Sequence, residues 1–461
     1  MNFNSLDFVL FFPVVFILHW ALPHRFRWAL LLGASWLFYF RWDFRAGFLL
    51  IGVTLLSWLC AGGIDRAKRP CTRRALLLLA LAGSLGCLGY FKYAGFFASL
   101  IGWRTARDIL LPAGISFYTF QSMSCVIDVY RGTVRAERHF GYYALFVAFF
   151  PQLVAGPIER TEHLLPQLRN ERVLDREALA AGGLLLLEGY FKKLVIADSL
   201  AVYVDRVYGA PATARGPEIA LATVLFGLQI YCDFSGYSSI ARGTARLLGV
   251  ELTENFRRPY ASRSVREFWR RWHISLTGWF TDYVYIPLGG SRRGLLRQLL
   301  NTLIVFLLSG LWHGAGWTFV LWGLVHGLYL VGGTLLERVS RRTASRPAAD
   351  IARTIGTFVL VSLPWLLFRA ASPSDAVLLL GRLLTGWDGA AAALHAAAPL
   401  ALPVLCLPMA DRLTDTTAAR RAAEHPAAQA LVILCGVAAI AIVWLSQLAG
   451  GGENAFIYFR F

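Results

Sequence analysis

The chain has 461 residues, 57% of them hydrophobic and 16% charged, with a formal net charge of +17. A soluble globular protein carries roughly 25% charged residues, so this balance excludes an ordinary soluble domain and points to an integral membrane protein. The positive charge does not indicate nucleic acid, because the basic residues sit in short loops between apolar runs, the pattern that orients membrane proteins in lipid.

Runs long enough to cross a hydrocarbon core begin with Phe8–Leu22 and continue with Gly47–Ile64, Ala75–Phe91, Ile219–Ile230, Leu299–Trp312, Trp317–Leu336 and Ala427–Leu448; with less clear-cut segments they predict about 11 spans. Met1–Leu18 holds no Lys or Arg, so the basic flank of a cleavable signal is missing and the first span is expected to stay in the mature protein. Arg25 and Arg27 occupy the first connection and Arg66, Lys68, Arg69, Arg73 and Arg74 crowd the third, whereas the second has only Arg41 and Arg45 around Asp43. Basic loops face the cytoplasm, which puts the N-terminus outside.

Two apolar segments are interrupted by Pro and Gly: Leu111–Gln121 and Phe150–Ile158. They are either re-entrant turns lining a cavity or kinked spanning helices, since broken backbone survives in a membrane only where protein or water satisfies it. Tyr231–Ser238 is a polar island after an apolar run, and Asp233 within it could orient an imidazole or cap a helix starting at Ser235. Between Glu251 and Arg293, arginines 257, 258, 263, 266, 270 and 271 mix with Phe256, Tyr260, Phe268, Trp269 and Trp272. The mixture suits interfacial helices, with headgroups or an anionic ligand as the arginines' partners.

Two histidines follow tryptophans, His273 in Phe268–Ser275 and His313 in Ser309–Trp317. An ionisable group at membrane depth is costly to bury, and imidazole titrates near neutral pH, so both are candidates for proton transfer. The alternative is a histidine hydrogen-bonded within a helix bundle. Gly314-Ala315-Gly316 would let a ligand or a helix approach closely, with Trp312 and Trp317 as walls.

The seven cysteines form no Cys-x-x-Cys and read as small buried hydrophobes, with no metal site expected. The polar stretches Arg160–Arg176, Glu337–Arg353 and Asp411–Pro426 read as loops or interfacial helices, and Ala390–Ala398 as a small-residue span or connection. No soluble domain or internal repeat is visible, so residues 1–461 are expected to form a single transmembrane domain with a motif-rich core at about 110–336. No nucleophile elbow, Walker loop or dinucleotide fingerprint occurs in a supporting context.

The ordered set Asn255–Tyr260, Glu267–Leu276, Asp282–Gly290 and Gly310–Gly314, supported by Gly114–Gln121, Pro151–Ile158 and Asp233–Ser238, resembles the bacterial membrane-bound O-acyltransferase (MBOAT) family. The likeness runs from about Leu6 to the C-terminus and is strongest to the alginate O-acetyltransferase branch, whose members include proteins acting on peptidoglycan and cellulose. The ending Phe456–Phe461 agrees, with Arg460 where family members often have Gln. Teichoic-acid D-alanyl transfer proteins share the central motifs.

The resemblance implies an all-α polytopic membrane protein with re-entrant and interfacial helices, forming a ring around a central tunnel. It implies a bacterial inner-membrane O-acyltransferase that takes acetyl groups from a cytoplasmic donor, acetyl-CoA, for an exported polysaccharide. A periplasmic serine esterase-like partner would complete the transfer, and no cofactor would be tightly bound. The position matching His313 would be the essential catalytic residue, and His273 the second family histidine, helping to bind donor or relay protons. Trp269, Arg270, Arg271, Trp272, Asp233, Ser235, Tyr237, Asp282, Tyr283, Trp312 and His326 would line the tunnel or the donor site. The competing functions are D-alanyl transfer to a cell-envelope polymer, a proton-linked transporter or polysaccharide-export component, and a scaffold that recruits the partner.

Overall fold

A computed structural model of the chain describes residues 1–102, 110–339 and 347–413, and beyond them only Ala430, Leu434, Ala441, Leu445, Phe456 and Ile457. The expected span Ala427–Leu448, the polar stretch beyond Leu413, the loop 340–346, Cys435 and the ending Tyr458–Phe461 lie otherwise outside the described residues.

Among the described residues every regular element is helical. In chain order these are α1 Leu6–Ala21, α2 His24–Phe40, α3 Phe44–Arg66, α4 Pro70–Leu88, α5 Ala94–Leu100, α6 Ile115–Arg131, α7 Phe140–Ala148, α8 Thr161–Arg169 and α9 Arg176–Tyr190. They are followed by α10 Asp198–Tyr208, α11 Gly216–Leu247, α12 Val265–Arg271, α13 Ile274–Phe280, α14 Leu295–His313 and α15 Trp317–Val339. The last are α16 Pro347–Ser362, α17 Trp365–Arg369, α18 Pro373–Thr385, α19 Ala390–Ala397 and α20 Ala401–Leu413.

The all-α, multi-span class is the one that the apolar runs and the family resemblance imply. Seven helical stretches among the described residues are long and apolar enough to cross a membrane. This count does not include α1, which at 16 residues is short for a span, or the predicted run Ala427–Leu448, which lies outside the described residues.

The residues fall into two compact units. One takes in Met1–Tyr190 and Gly236–Thr253, the other Phe191–Ser235 and Glu254–Asp411, and α11 contributes to both.

In the first unit, side-chain caps start two of the helices. Ser5 caps α1 by accepting from the Phe8 N–H, and Asp43 caps α3 by accepting from the N–H groups of Arg45 and Ala46. The two Pro/Gly-interrupted segments meet in this unit. Gly114 begins α6 at φ 72°, and a Cβ there would fall 2.7 Å from the Leu153 carbonyl oxygen. Phe149–Ile158 is irregular and buried throughout. Protein groups meet several polar atoms in and beside it: Gln121 and Gln152 both donate to the Phe146 carbonyl of α7, at 2.6 and 2.9 Å, Gln152 also donates to Gln121 at 3.1 Å, and the Phe150 N–H donates to Ser35 Oγ at 3.0 Å. Leu111–Gln121 is thus a turn leading into a regular helix, and Phe150–Ile158 is buried non-helical backbone; neither is a kinked spanning helix. The buried-hydrophobe role holds for Cys60, Cys125 and Cys232 and not for Cys71, which is exposed.

In the second unit, α14 and α15 form a tight helical hairpin. A Cβ on Gly310 would lie 2.3 Å from the Phe319 carbonyl oxygen, and one on Gly323 would lie 2.2 Å from that of Phe306, so only glycine permits this approach. The gap at Gly314 is closed by the Phe319 ring, 2.2 Å from where a Cβ would stand. Gly314 admits the ring of the neighbouring helix.

Candidate active site

The second unit brings the two motif histidines together. His313 ends α14 and His273 immediately precedes α13, and their ring centroids are 6.5 Å apart. Both are buried, at 3% and 0% exposure. His273 sits in left-handed backbone at φ 44°, a strained conformation for a side chain other than glycine. Asn255 holds it there from both main-chain and side-chain atoms. Its carbonyl accepts from the Ile274 N–H at 2.9 Å, and its Oδ1 accepts from the Ser275 N–H at 3.2 Å and the Ser275 hydroxyl at 2.6 Å. Burial pushes the His273 imidazole down to about 3, so it is neutral near pH 7.

Aromatic rings enclose the pair. His313 stands 5.0 Å from Trp312, 5.1 Å from Trp322 and 5.5 Å from Phe368, and His273 stands 5.9 Å from Trp312 and 4.7 Å from Phe234. A third histidine continues the cluster. His326 lies 4.9 Å from Trp322, and its Nδ1 accepts from the Trp269 indole N–H at 3.3 Å. An Nδ1 that accepts leaves the ring proton on Nε2 of the neutral imidazole. Trp272 is buried against Phe268 and Trp365, at 5.3 and 5.2 Å. The expected wall residue Trp312 is therefore in place, whereas Trp317 is 50% exposed.

A cavity of about 350 Å³ lies beside this cluster, bounded by Trp269, Arg266, Arg270 and Ser309, with Thr277, Gln298 and Thr302 among its polar walls. Neither His273 nor His313 is among its lining residues. The expected arginines divide here. Arg257, Arg263, Arg266 and Arg271 pair with Glu254, Asp350, Glu337 and Glu267, which accounts for much of their charge within the protein. Arg270 is exposed and faces the cavity. Ser264 accepts from the Glu267 N–H while Glu267 accepts from the Arg263 N–H, so this turn of α12 is capped in both directions.

Several expected site residues stand elsewhere. Asp233 does not cap a helix, because α11 runs unbroken from Gly216 to Leu247. Its carboxylate instead accepts from Lys193 at 2.8 Å. Ser235 is buried one turn from Tyr231, with no hydrogen-bond partner for its hydroxyl among the described residues. Tyr237 belongs to the first unit, where its ring packs 4.7 Å from Phe3 and 5.0 Å from Phe456. Asp282 is exposed in the π-helical turn Thr281–Tyr285, and Tyr283 packs on Trp279 at 5.1 Å. Lys193 and Asn255, which hold Asp233 and the His273 turn, are not singled out by the sequence reading. Two adjacent lysines in the apolar run after Tyr190, and an Asn ahead of the arginine cluster, were the available signals.

With this geometry in hand, the chain compares clearly with known proteins. Residues 134–366 match the model of MBOAT, the membrane-bound O-acyltransferase family. The chain is 39% identical to a probable alginate O-acetylase of Pseudomonas putida over 89% of its length and 86% of that protein's. It is 40% identical to the corresponding protein of Pseudomonas aeruginosa, covering 80% and 72%, and 34% identical to a peptidoglycan O-acetyltransferase of Helicobacter pylori, covering 75% and 71%. A teichoic acid D-alanyltransferase of Streptococcus thermophilus matches only 49% of the chain, at 30% identity. The chain belongs to the membrane-bound O-acyltransferase family. It is a multi-span membrane enzyme that transfers acyl groups to oxygen, which sets aside a transporter, an export channel or a scaffold as its primary role.

Proposed function

We propose that the protein transfers acetyl groups from cytoplasmic acetyl-CoA across the bacterial inner membrane for O-acetylation of an exported polysaccharide. The acetylating relatives match most of the chain, against about half for the D-alanyl transfer protein, which favours acetyl over D-alanyl. A periplasmic serine esterase-like protein is proposed to complete transfer to the polymer, with the whole chain working as one transmembrane domain.

The observation that carries the site is the buried histidine pair, 6.5 Å apart in a tryptophan-rich enclosure. In the proposed step His313 takes the proton of an acceptor hydroxyl as its oxygen attacks the thioester carbonyl. The C–O bond forms, the C–S bond breaks, and the proton passes to the leaving thiolate, giving an ester and a free thiol. General base work of this kind is worth about 10²–10⁴-fold. His273, neutral and held by Asn255, supports the reacting groups rather than pairing with phosphate. The donor phosphates are assigned to the cavity at Arg270, since guanidinium matches phosphate geometry.

The test is acetyl transfer and donor hydrolysis by the purified full chain in lipid nanodiscs. His313→Ala should abolish both at near-normal abundance in the membrane. His313→Gln should fail too, because an amide keeps hydrogen-bonding capacity but accepts no proton at neutral pH. Transfer by the Gln variant well above the Ala background would mean that His313 positions a group instead of reacting.

A further inference from the structure

The second unit contains an ionic cluster that the chemistry above does not use. Phe191–Ala197 is a π-helical turn, the kind of local widening that recurs at functional sites. It presents two adjacent lysines to different partners. Lys193 Nζ lies 2.9 Å from Asp198 and 2.8 Å from Asp233, with all three side chains at most 4% exposed. Lys192 Nζ lies 2.7 Å from Asp411, which also accepts from the Tyr231 hydroxyl at 2.8 Å.

Both ties end on one turn of α11, and that turn faces His273. Phe234, next to Asp233, meets the His273 ring edge-on at 4.7 Å. Tyr231 leans on Trp272 at 6.1 Å and on Phe256 at 5.9 Å. Breaking a buried pair leaves an uncompensated charge, so each of these groups is held to its partner. A shift of the Tyr231–Phe234 turn would therefore move the rings against which the strained His273 is packed.

We infer that Lys193, anchoring Asp233, is a positioning residue that fixes the α11 turn behind His273, with Lys192 and Asp411 steadying the same turn through Tyr231. The kinetic consequence rests on the acyltransfer function proposed above; the structural consequence does not. Asp233→Asn keeps the shape of the side chain and removes the charge that Lys193 holds. Asp198→Asn leaves the Lys193–Asp233 tie intact.

The experiment is histidine labelling with diethyl pyrocarbonate on the folded, detergent-purified full chain, read peptide by peptide by mass spectrometry, alongside acetyl-transfer kinetics. Asp233→Asn should raise the labelling rate of His273 by about tenfold, and lower kcat by about tenfold with KM for acetyl-CoA within about twofold. Asp198→Asn should keep His273 labelling within about twofold of the parent protein. His19, buried in the first unit, should label as in the parent throughout. Unchanged His273 labelling in Asp233→Asn overturns the inference, as does an equal rise at His19, which would mean general loosening. If the parent protein transfers no acetyl group at all, the proposed function fails while the labelling still decides the role of Lys193.

Discussion

At the scale of single residues, neighbours of like type have been given different work by their surroundings. Arg270 and Arg271 are adjacent in the sequence and look equivalent there. Arg271 spends its guanidinium on Glu267 one turn earlier, while Arg270 faces a cavity of about 350 Å³. Arg270→Ala should raise KM for acetyl-CoA by about tenfold or more, whereas Arg271→Ala should change it less than about twofold, because the Arg271 guanidinium is already engaged by Glu267 in a half-buried i,i+4 pair. Steady-state kinetics on the two purified variants at matched protein levels separate them. Equal losses that track loss of protein from the membrane would make both arginines interfacial anchors. The same divergence applies to the carboxylates. Asp233 has a helix-cap residue type two residues before a serine, yet it lies inside the unbroken α11 and its carboxylate has an ionic partner in Lys193.

Among the elements, the α14–α15 hairpin does most to place His313. Its contact is made by Gly310 and Gly323, where a Cβ would fall within 2.3 Å of backbone oxygen on the facing helix. Backbone cannot step aside as a side chain can, so Gly310→Ala should force the helices apart and destabilise by about 1–3 kcal/mol. Gly332→Ala on α15, where a Cβ meets open space, is the matched control. Thermal unfolding of both variants in detergent should show a lowered midpoint for Gly310→Ala and none for Gly332→Ala; equal behaviour would mean that the hairpin is not set by this contact. In the first unit, Gln121 and Gln152 donate to the Phe146 carbonyl near the end of α7, where the chain leaves the helix for the buried irregular stretch that follows.

For the molecule as a whole, orientation follows from where the positive charge lies. The connection between α3 and α4 carries Arg66, Lys68 and Arg69 and should face the cytoplasm. Reporter fusions after Arg69 and within Glu337–Arg346 should report cytoplasm, and a fusion at Asn4 should report periplasm. A cytoplasmic signal at Asn4 would invert the topology and place the donor on the wrong side for the proposed transfer.

The sequence by itself determined the membrane class, the helical character and the family, and it singled out the two histidines as candidates. These rest on local quantities: composition, the length of apolar runs, and residue types at fixed spacing. Tertiary structure alone decided that His273 and His313 stand 6.5 Å apart, that Lys193 holds both Asp198 and Asp233, that Arg270 and not Arg271 meets a cavity, and that Tyr237 packs with Phe3 in the other unit. Each of these is a contact between residues on different elements, most of them far apart in the chain. Such contacts are set by which helix faces pack together, and in a membrane protein nearly every face is apolar, so hydrophobic periodicity does not distinguish a face turned to lipid from one turned to protein.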